Sequence, residues 1–170
     1  MCTRGLWGAI GGRGTLPPRR SSDDRTSRLS AWSARDLSTA AGPILVALEE
    51  STYLTVVCPL LSFPAFLPAF AASVATALEG LGIPAGIVDS ETAAIVEGTS
   101  FARNDNRSLL GSVNDVAFHA DVLLEHAQRG DLAALERVQS ELNEMPHAHR
   151  KPPFPAQAVR LLLRSTFAVH

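Results

Sequence analysis

The sequence has little cysteine and almost no lysine. Its two cysteines, Cys2 and Cys58, lie far apart in segments of different character. This distribution argues against a structural disulfide or a cysteine-based zinc site, and it fits a reducing compartment, so we expect a cytoplasmic protein. Lys151 is the single lysine among fifteen basic residues. Such a preference for arginine is typical of a GC-rich genome and says nothing about function.

The sequence also lacks a complete signature for a cofactor or a catalytic nucleophile. The glycines of residues 11–14 neither follow a strand pattern nor end in Lys-Ser/Thr, as a phosphate-binding loop does. No serine lies in a G-x-S-x-G pattern, and Cys58 lies in an apolar run, where a thiol is usually a small core group. We therefore expect no cofactor.

Charge is distributed unevenly along the chain. Residues 1–35 contain seven arginines and two aspartates, whereas residues 36–170 contain eight basic and fifteen acidic residues. The acidic part repels phosphate backbones, so we expect no nucleic-acid binding. Residues 1–28 mix Gly, Pro, Arg and Ser without an apolar period, which predicts a disordered leader.

No charged residue occurs between Glu50 and Glu79, a run of 28 residues. A transmembrane helix is one interpretation of such a run. Three prolines interrupt it, at Pro59, Pro64 and Pro68, and no basic cluster flanks it. A buried strand followed by a helix is the better interpretation, and we expect no membrane association.

Periodicity predicts an α+β fold. Apolar and β-branched residues predict a hairpin over about 44–58, and a third strand is predicted over about 94–101, after a short strand or extended crossing at 86–89. Helical spacing predicts a helix over about 63–80 that packs on the sheet. A C-terminal helical pair is predicted over about 107–128 and 131–144, capped by Asp131 and followed by a Pro-rich linker and a short helix over 155–164.

The densest group of polar residues lies in the first turns of the predicted 107–128 helix. Asp115 and His119 are four residues apart, close enough for a carboxylate to orient an imidazole in an acid/base pair. Arg107 is the candidate anion-binding group beside them. Further binding candidates are Ser108, Ser112 and Asn114. The simpler interpretation, which we favour, is a solvated helix face, because reactive groups require burial that the sequence does not indicate.

A metal site is a further alternative. It would use Asp115, His119 and either His126 or the pair His147 and His149. The spacing does not bring these side chains together, since His119 and His126 are two helical turns apart and His147–His149 lies in a predicted loop. We therefore expect no metal.

Several blocks of the sequence resemble a bacterial domain family of unknown function. They are the Trp32 segment, the strand ending in TYLTVVCPL, the helix closed by EGLGIP, and above all NRSLLGSVND at residues 106–115. The resemblance covers about residues 29–145 and implies no reaction, cofactor or catalytic residue. The resemblance implies an additional strand and a Lys-containing segment at the beginning of the domain, where this chain has its Gly/Arg/Pro leader, so the sheet is expected to be short of an edge strand.

The sequence thus predicts a single domain over 29–145, after the leader at 1–28 and before the linker and terminal helix at 146–170. The favoured function is a non-enzymatic interaction or regulatory protein, which would bind another protein through an open sheet edge or the polar face of the 107–128 helix. The alternative is a small enzyme that uses Asp115 and His119 as an acid/base pair and Arg107 to bind an anion. The sequence leaves substrate, partner and oligomeric state open.

Overall fold

The computed structural model describes residues 8, 27–29, 31–62, 64–102, 106–148 and 150–164. Most of the predicted leader lies outside these residues, as do Asn104, Asp105 and His149. The described elements are three strands followed by five helices, which confirms the α+β prediction. They are β1 (Trp32–Thr39), β2 (Gly42–Glu49), β3 (Thr55–Pro59), α1 (Phe66–Gly80), α2 (Ala85–Gly98), α3 (Arg107–Leu123), α4 (Leu132–Glu144) and α5 (Pro155–Arg164).

The three strands form an antiparallel sheet in the order β1-β2-β3. A tight turn at Ala40–Ala41 joins β1 to β2 with Thr39 opposite Gly42. The central strand β2 is buried on both faces from Ile44 to Glu49. A strand covered on both faces has no need for alternating polar residues, which explains its continuous apolar sequence.

Helices cover both faces of the sheet and divide the interior into two cores. The first core lies between the sheet and α1, α2 and α5, and the second lies between the sheet and α3 and α4. Alternate residues of β2 pack in different cores. Leu45 and Ala47 face the first core. Ile44, Val46 and Leu48 face the second. This follows from the two-residue period of a strand and makes the fold a three-layer sandwich.

The predicted third strand at 94–101 is wrong, and so is the extended crossing at 86–89. Residues 86–89 and 94–98 belong to the helix α2, and residues 99–101 follow its end without forming a strand. Its buried residues are Val88, Glu91 and Ile95, which recur at intervals of three and four and therefore share one helix face. The β-branched residues of the segment AAIVEGTSF misled the prediction, because tertiary packing outweighs local propensity. The third strand is instead β1, at the Trp32 segment.

The other predicted helices lie where expected, with small shifts at their ends. α3 starts at Arg107 but ends at Leu123, and residues 124–128 form a turn and an irregular segment instead of its predicted last residues. The Asp131 side chain accepts a hydrogen bond from the Ala134 N–H at 2.9 Å and caps α4. α5 spans Pro155–Arg164 and places Val159 and Leu163 in the first core, so the terminal helix packs as part of the same unit.

The uncharged run between Glu50 and Glu79 contains β3 and most of α1. Among the helices that the structure describes, none is long and apolar enough to cross a membrane. The hairpin turn before β3 is organised by Glu49, whose side chain is 1% exposed. Its carboxylate accepts hydrogen bonds from the N–H and hydroxyl groups of Ser51 and Thr52, at 2.7–3.0 Å. The fold therefore uses a charged side chain to fix this turn.

Candidate functional site

The polar residues predicted on α3 lie at its surface. Asn106 caps the helix by accepting a hydrogen bond from the Leu109 N–H at 3.1 Å. Arg107, Ser108, Asn114, Asp115 and His119 are exposed, and Ser112 is partly buried. The Ser112 hydroxyl donates to the Ser108 carbonyl at 3.4 Å. The segment thus begins a helix and presents a polar face at the surface of the protein.

The candidate acid/base pair remains two separate surface groups. Within the described part of the chain, no hydrogen bond joins Asp115 to His119. Arg107 forms no ion pair with Asp115 there. The His119 ring lies against the ring of Phe118, with centroids 5.9 Å apart. Residues 31–62, 64–102, 106–148 and 150–164 also contain no group of three His, Cys, Asp or Glu side chains placed to hold a metal ion.

Asn114 is the candidate that contacts a second element. The Arg35 guanidinium of β1 donates a hydrogen bond to the Asn114 Oδ1 at 2.6 Å. Arg107 lies two turns before Asn114 and Phe118 one turn after it, so these three residues share a face of α3. The Phe118 side chain is 66% exposed. The polar face of α3 therefore adjoins β1, which is an edge strand of the sheet.

The β3 edge of the sheet is closed. The β2–β3 register turns the backbone groups of Thr55, Val57 and Pro59 away from β2. Asn143 on α4 accepts from the Thr55 N–H and donates to the Thr55 carbonyl, both at 2.8 Å. Gln139 accepts from the Val57 N–H at 3.0 Å. Pro59 has no N–H to donate, so every outward donor of β3 is accounted for.

The sequence analysis missed Gln139 and Asn143, although a signal for them exists. They are four residues apart and lie within the buried stripe of α4, beside Val138 and Leu142. Both amides are nearly inaccessible, at 3% and 4% exposure. A buried amide is costly unless it is hydrogen-bonded, so polar residues at core positions of a helix indicate specific backbone partners.

The opposite edge, formed by β1, differs. The β1–β2 register turns the backbone groups of Ala34, Asp36 and Ser38 away from β2. Among the residues that the structure describes, no side chain or strand pairs with these groups. We call these three residues the open edge, and the outward groups of Thr55, Val57 and Pro59 the closed edge. An open edge is a template for a further strand.

Cys58 on β3 has no accessible surface. Burial raises the pKa of its thiol from 9.0 to about 12 because the surroundings disfavour the thiolate. The thiolate is the nucleophilic form of cysteine. Cys58 is therefore a core group at neutral pH, as its apolar sequence context indicates.

Comparison with known proteins identifies a family. No curated protein and no solved structure matches the chain. The sequence model of a family described as "Domain of unknown function (DUF6933)" matches residues 1–158. This match confirms the resemblance to a domain family of unknown function. The match spans all eight described strands and helices except the last six residues of α5. The chain therefore belongs to the DUF6933 family.

Proposed function

We propose that this protein is an interaction module that accepts an extended segment of another protein as an additional strand on the open edge of β1. The contrast between the two edges of the sheet is the observation that carries the proposal. Main-chain hydrogen bonds would supply affinity, and side chains on both sides of the added strand would supply specificity.

The surroundings of the open edge favour a particular kind of segment. Arg35 lies on the β1 face that contacts α3, and Arg107 and Phe118 lie on the adjoining α3 face. Both guanidinium groups attract an acidic residue, and the exposed Phe118 ring can be covered by an apolar one. On the other face, Ala34 packs beside the first core. The expected partner segment alternates, with acidic and apolar residues toward α3 and small apolar residues toward Ala34.

A second copy of this chain is a less suitable partner. Symmetric antiparallel pairing of two β1 strands requires registers that keep matching faces together. The two central registers place Arg35 opposite Arg35 or Asp36 opposite Asp36, and like charges opposite each other destabilise a strand pair. The charges in the middle of β1 thus disfavour self-association and favour a heterologous strand.

A peptide selection tests this function. Peptides selected from a displayed random library on the full-length protein should protect the amide groups of Ala34, Asp36 and Ser38 from hydrogen exchange. Ala34→Pro removes an outward N–H and should abolish binding while leaving the β1–β2 ladder intact. Ala34→Ser keeps the N–H and should bind like the wild type.

The same peptides test the role of charge beside the open edge and whether Asp115 and His119 take part in binding. Arg35→Ala should weaken binding of an acidic peptide by about tenfold, whereas Arg137→Ala on the exposed side of α4 should have no effect. Asp115→Asn and His119→Gln should also leave binding unchanged. Selected peptides that bind Ala34→Pro normally, or that protect no β1 amide, would contradict the proposal.

A further inference from the structure

A pocket of about 520 Å³ lies on the side of the molecule that carries α5. The loop between α1 and α2 forms one wall, and α5 forms the other. Its apolar lining is contributed by Leu81, Ile83, Pro84, Ile87 and Leu163. The volume falls within the range typical of sites for small organic ligands. It is unrelated to the open edge, because none of its lining residues belongs to the sheet or to α3.

Two arginines on one face of α5 complete the lining. Arg160 and Arg164 are one helical turn apart and both line the pocket. The Arg160 Nε donates a hydrogen bond to the Leu81 carbonyl at 3.0 Å, which fixes the guanidinium against the opposite wall. This bond leaves both Nη groups for another acceptor.

The charge in the pocket is of one sign. None of the eight lining residues is acidic, and across the described ranges no carboxylate forms an ion pair with Arg160 or Arg164. Two cations at an otherwise apolar wall suit a ligand whose negative end accepts from guanidinium groups while its body displaces water from Leu, Ile and Pro side chains. Neither an inorganic anion nor a neutral hydrocarbon satisfies both parts of the lining.

We propose that this pocket binds a small carboxylate with an apolar body. The carboxylate accepts hydrogen bonds from Arg160 and Arg164, and the hydrocarbon part lies against Ile83, Ile87 and Leu163. The proposal does not depend on the proposed strand addition at β1, and either can fail alone.

Octanoate, octanol and inorganic phosphate are the probes for this site, with the full-length protein titrated by calorimetry and by amide chemical shifts. Octanoate should bind and shift the amide signals of Gly82 and Ile83. Octanol, which lacks the charge, and phosphate, which lacks the apolar body, should each bind at least about tenfold more weakly.

Variants locate the binding. Arg164→Gln should weaken octanoate binding by about tenfold, because it removes one charge-assisted donor from an exposed position. Ile87→Trp should weaken it by filling the pocket without changing charge, and the melting temperature reports whether this variant is folded. Arg137→Gln, on α4, is the matched charge control and should bind like the wild type.

Any one of four affinity results would overturn the proposal. They are no octanoate binding by the wild type, equal binding of octanol, equal binding of phosphate, and octanoate binding that is unchanged in Arg164→Gln. Octanoate binding without shifts at Gly82 and Ile83 would also overturn it, since the ligand would then occupy another surface.

Discussion

The two edges of the sheet differ in whether their outward backbone groups have hydrogen-bond partners. At β3, Gln139 and Asn143 are buried to satisfy outward N–H groups, and Pro59 removes another. At β1, the outward groups of Ala34, Asp36 and Ser38 have no such partner within the described ranges. A buried amide requires desolvation and ordering, so its presence at only one edge has a physical meaning. It indicates that β3 is protected from strand pairing and that β1 is available for it.

Hydrogen exchange gives the largest expected difference between the edges. The N–H groups of Thr55 and Val57 should be protected by at least about a thousandfold, because they are bonded to buried amides and open only with the core. The N–H groups of Ala34, Asp36 and Ser38 should exchange nearly as fast as in an unfolded peptide. NMR-detected exchange of the isolated protein measures both sets. Equal protection would mean that the β1 edge is already covered.

Removal of one buried amide at the closed edge should destabilise the folded protein. Asn143→Leu leaves the Thr55 N–H and carbonyl without partners in a buried site, and it should lower the free energy of unfolding by about 3 kcal/mol. Urea denaturation measures this loss. Glu144→Ala, at the exposed neighbouring position, is the control and should change stability by less than about 0.5 kcal/mol. A loss as small in Asn143→Leu would show that the amide does not stabilise the edge.

Burial of Cys58 on β3, in the first core, should also produce a pH dependence of stability. The Cys58 thiol has a pKa of about 12 in the folded protein, against 9.0 for an unperturbed thiol. The contribution of the protonated thiol to the free energy of unfolding is therefore complete below pH 9. It is lost as the pH rises toward 12, by about 1.4 kcal/mol per pH unit. Denaturation curves between pH 8 and 10.5 should show this additional slope, and Cys58→Ala should lack it. Parallel curves for the two proteins would contradict the buried thiol.

The smallest effect is expected on α3, beside the open edge. Gly111 lies in the interior of this helix, is exposed, and has no atom within 4 Å of the position that a Cβ would occupy. Gly111→Ala should therefore raise the free energy of unfolding by about 0.5–1 kcal/mol through helix propensity. Thermal and urea denaturation measure the gain. A destabilised variant would indicate that the α3 surface is packed against something that Ala disturbs.

The elements that were predicted well have strong local signals. The α3 and α4 pair has long apolar stripes, Asp131 is a recognisable cap, and the helix Pro155–Arg164 directly follows a Pro-rich segment. The failures have a common cause. The β1 segment contains Arg35 and Asp36 and lacks a hydrophobic run, whereas α2 contains β-branched residues that favour strands. In both segments, packing against the rest of the protein decided the secondary structure, and the local sequence did not.

The candidate site was likewise predictable from the sequence only in part. The candidate residues lie on one helix, as the sequence predicts, but their chemistry depends on burial and on neighbours from other elements. They are Arg107, Ser108, Ser112, Asn114, Asp115 and His119. Among the residues that the structure describes, Asn114 is the only one of these six with a hydrogen-bond partner on a distant strand, which is Arg35. The catalytic use of Asp115 and His119 stays a prediction, and the contrast between the sheet edges was not visible in the sequence.

The sequence by itself determined the α+β composition, the apolar central strand and the spacing of most helices, because periodicity and capping act over a few residues. Tertiary structure alone decided which strand lies at each edge, which amides meet them, and how Arg160 and Arg164 come to line a pocket with the loop after α1. These features join residues far apart in the chain, such as Thr55 with Asn143. Their hydrogen bonds are set by the packing of whole elements, which no local pattern records.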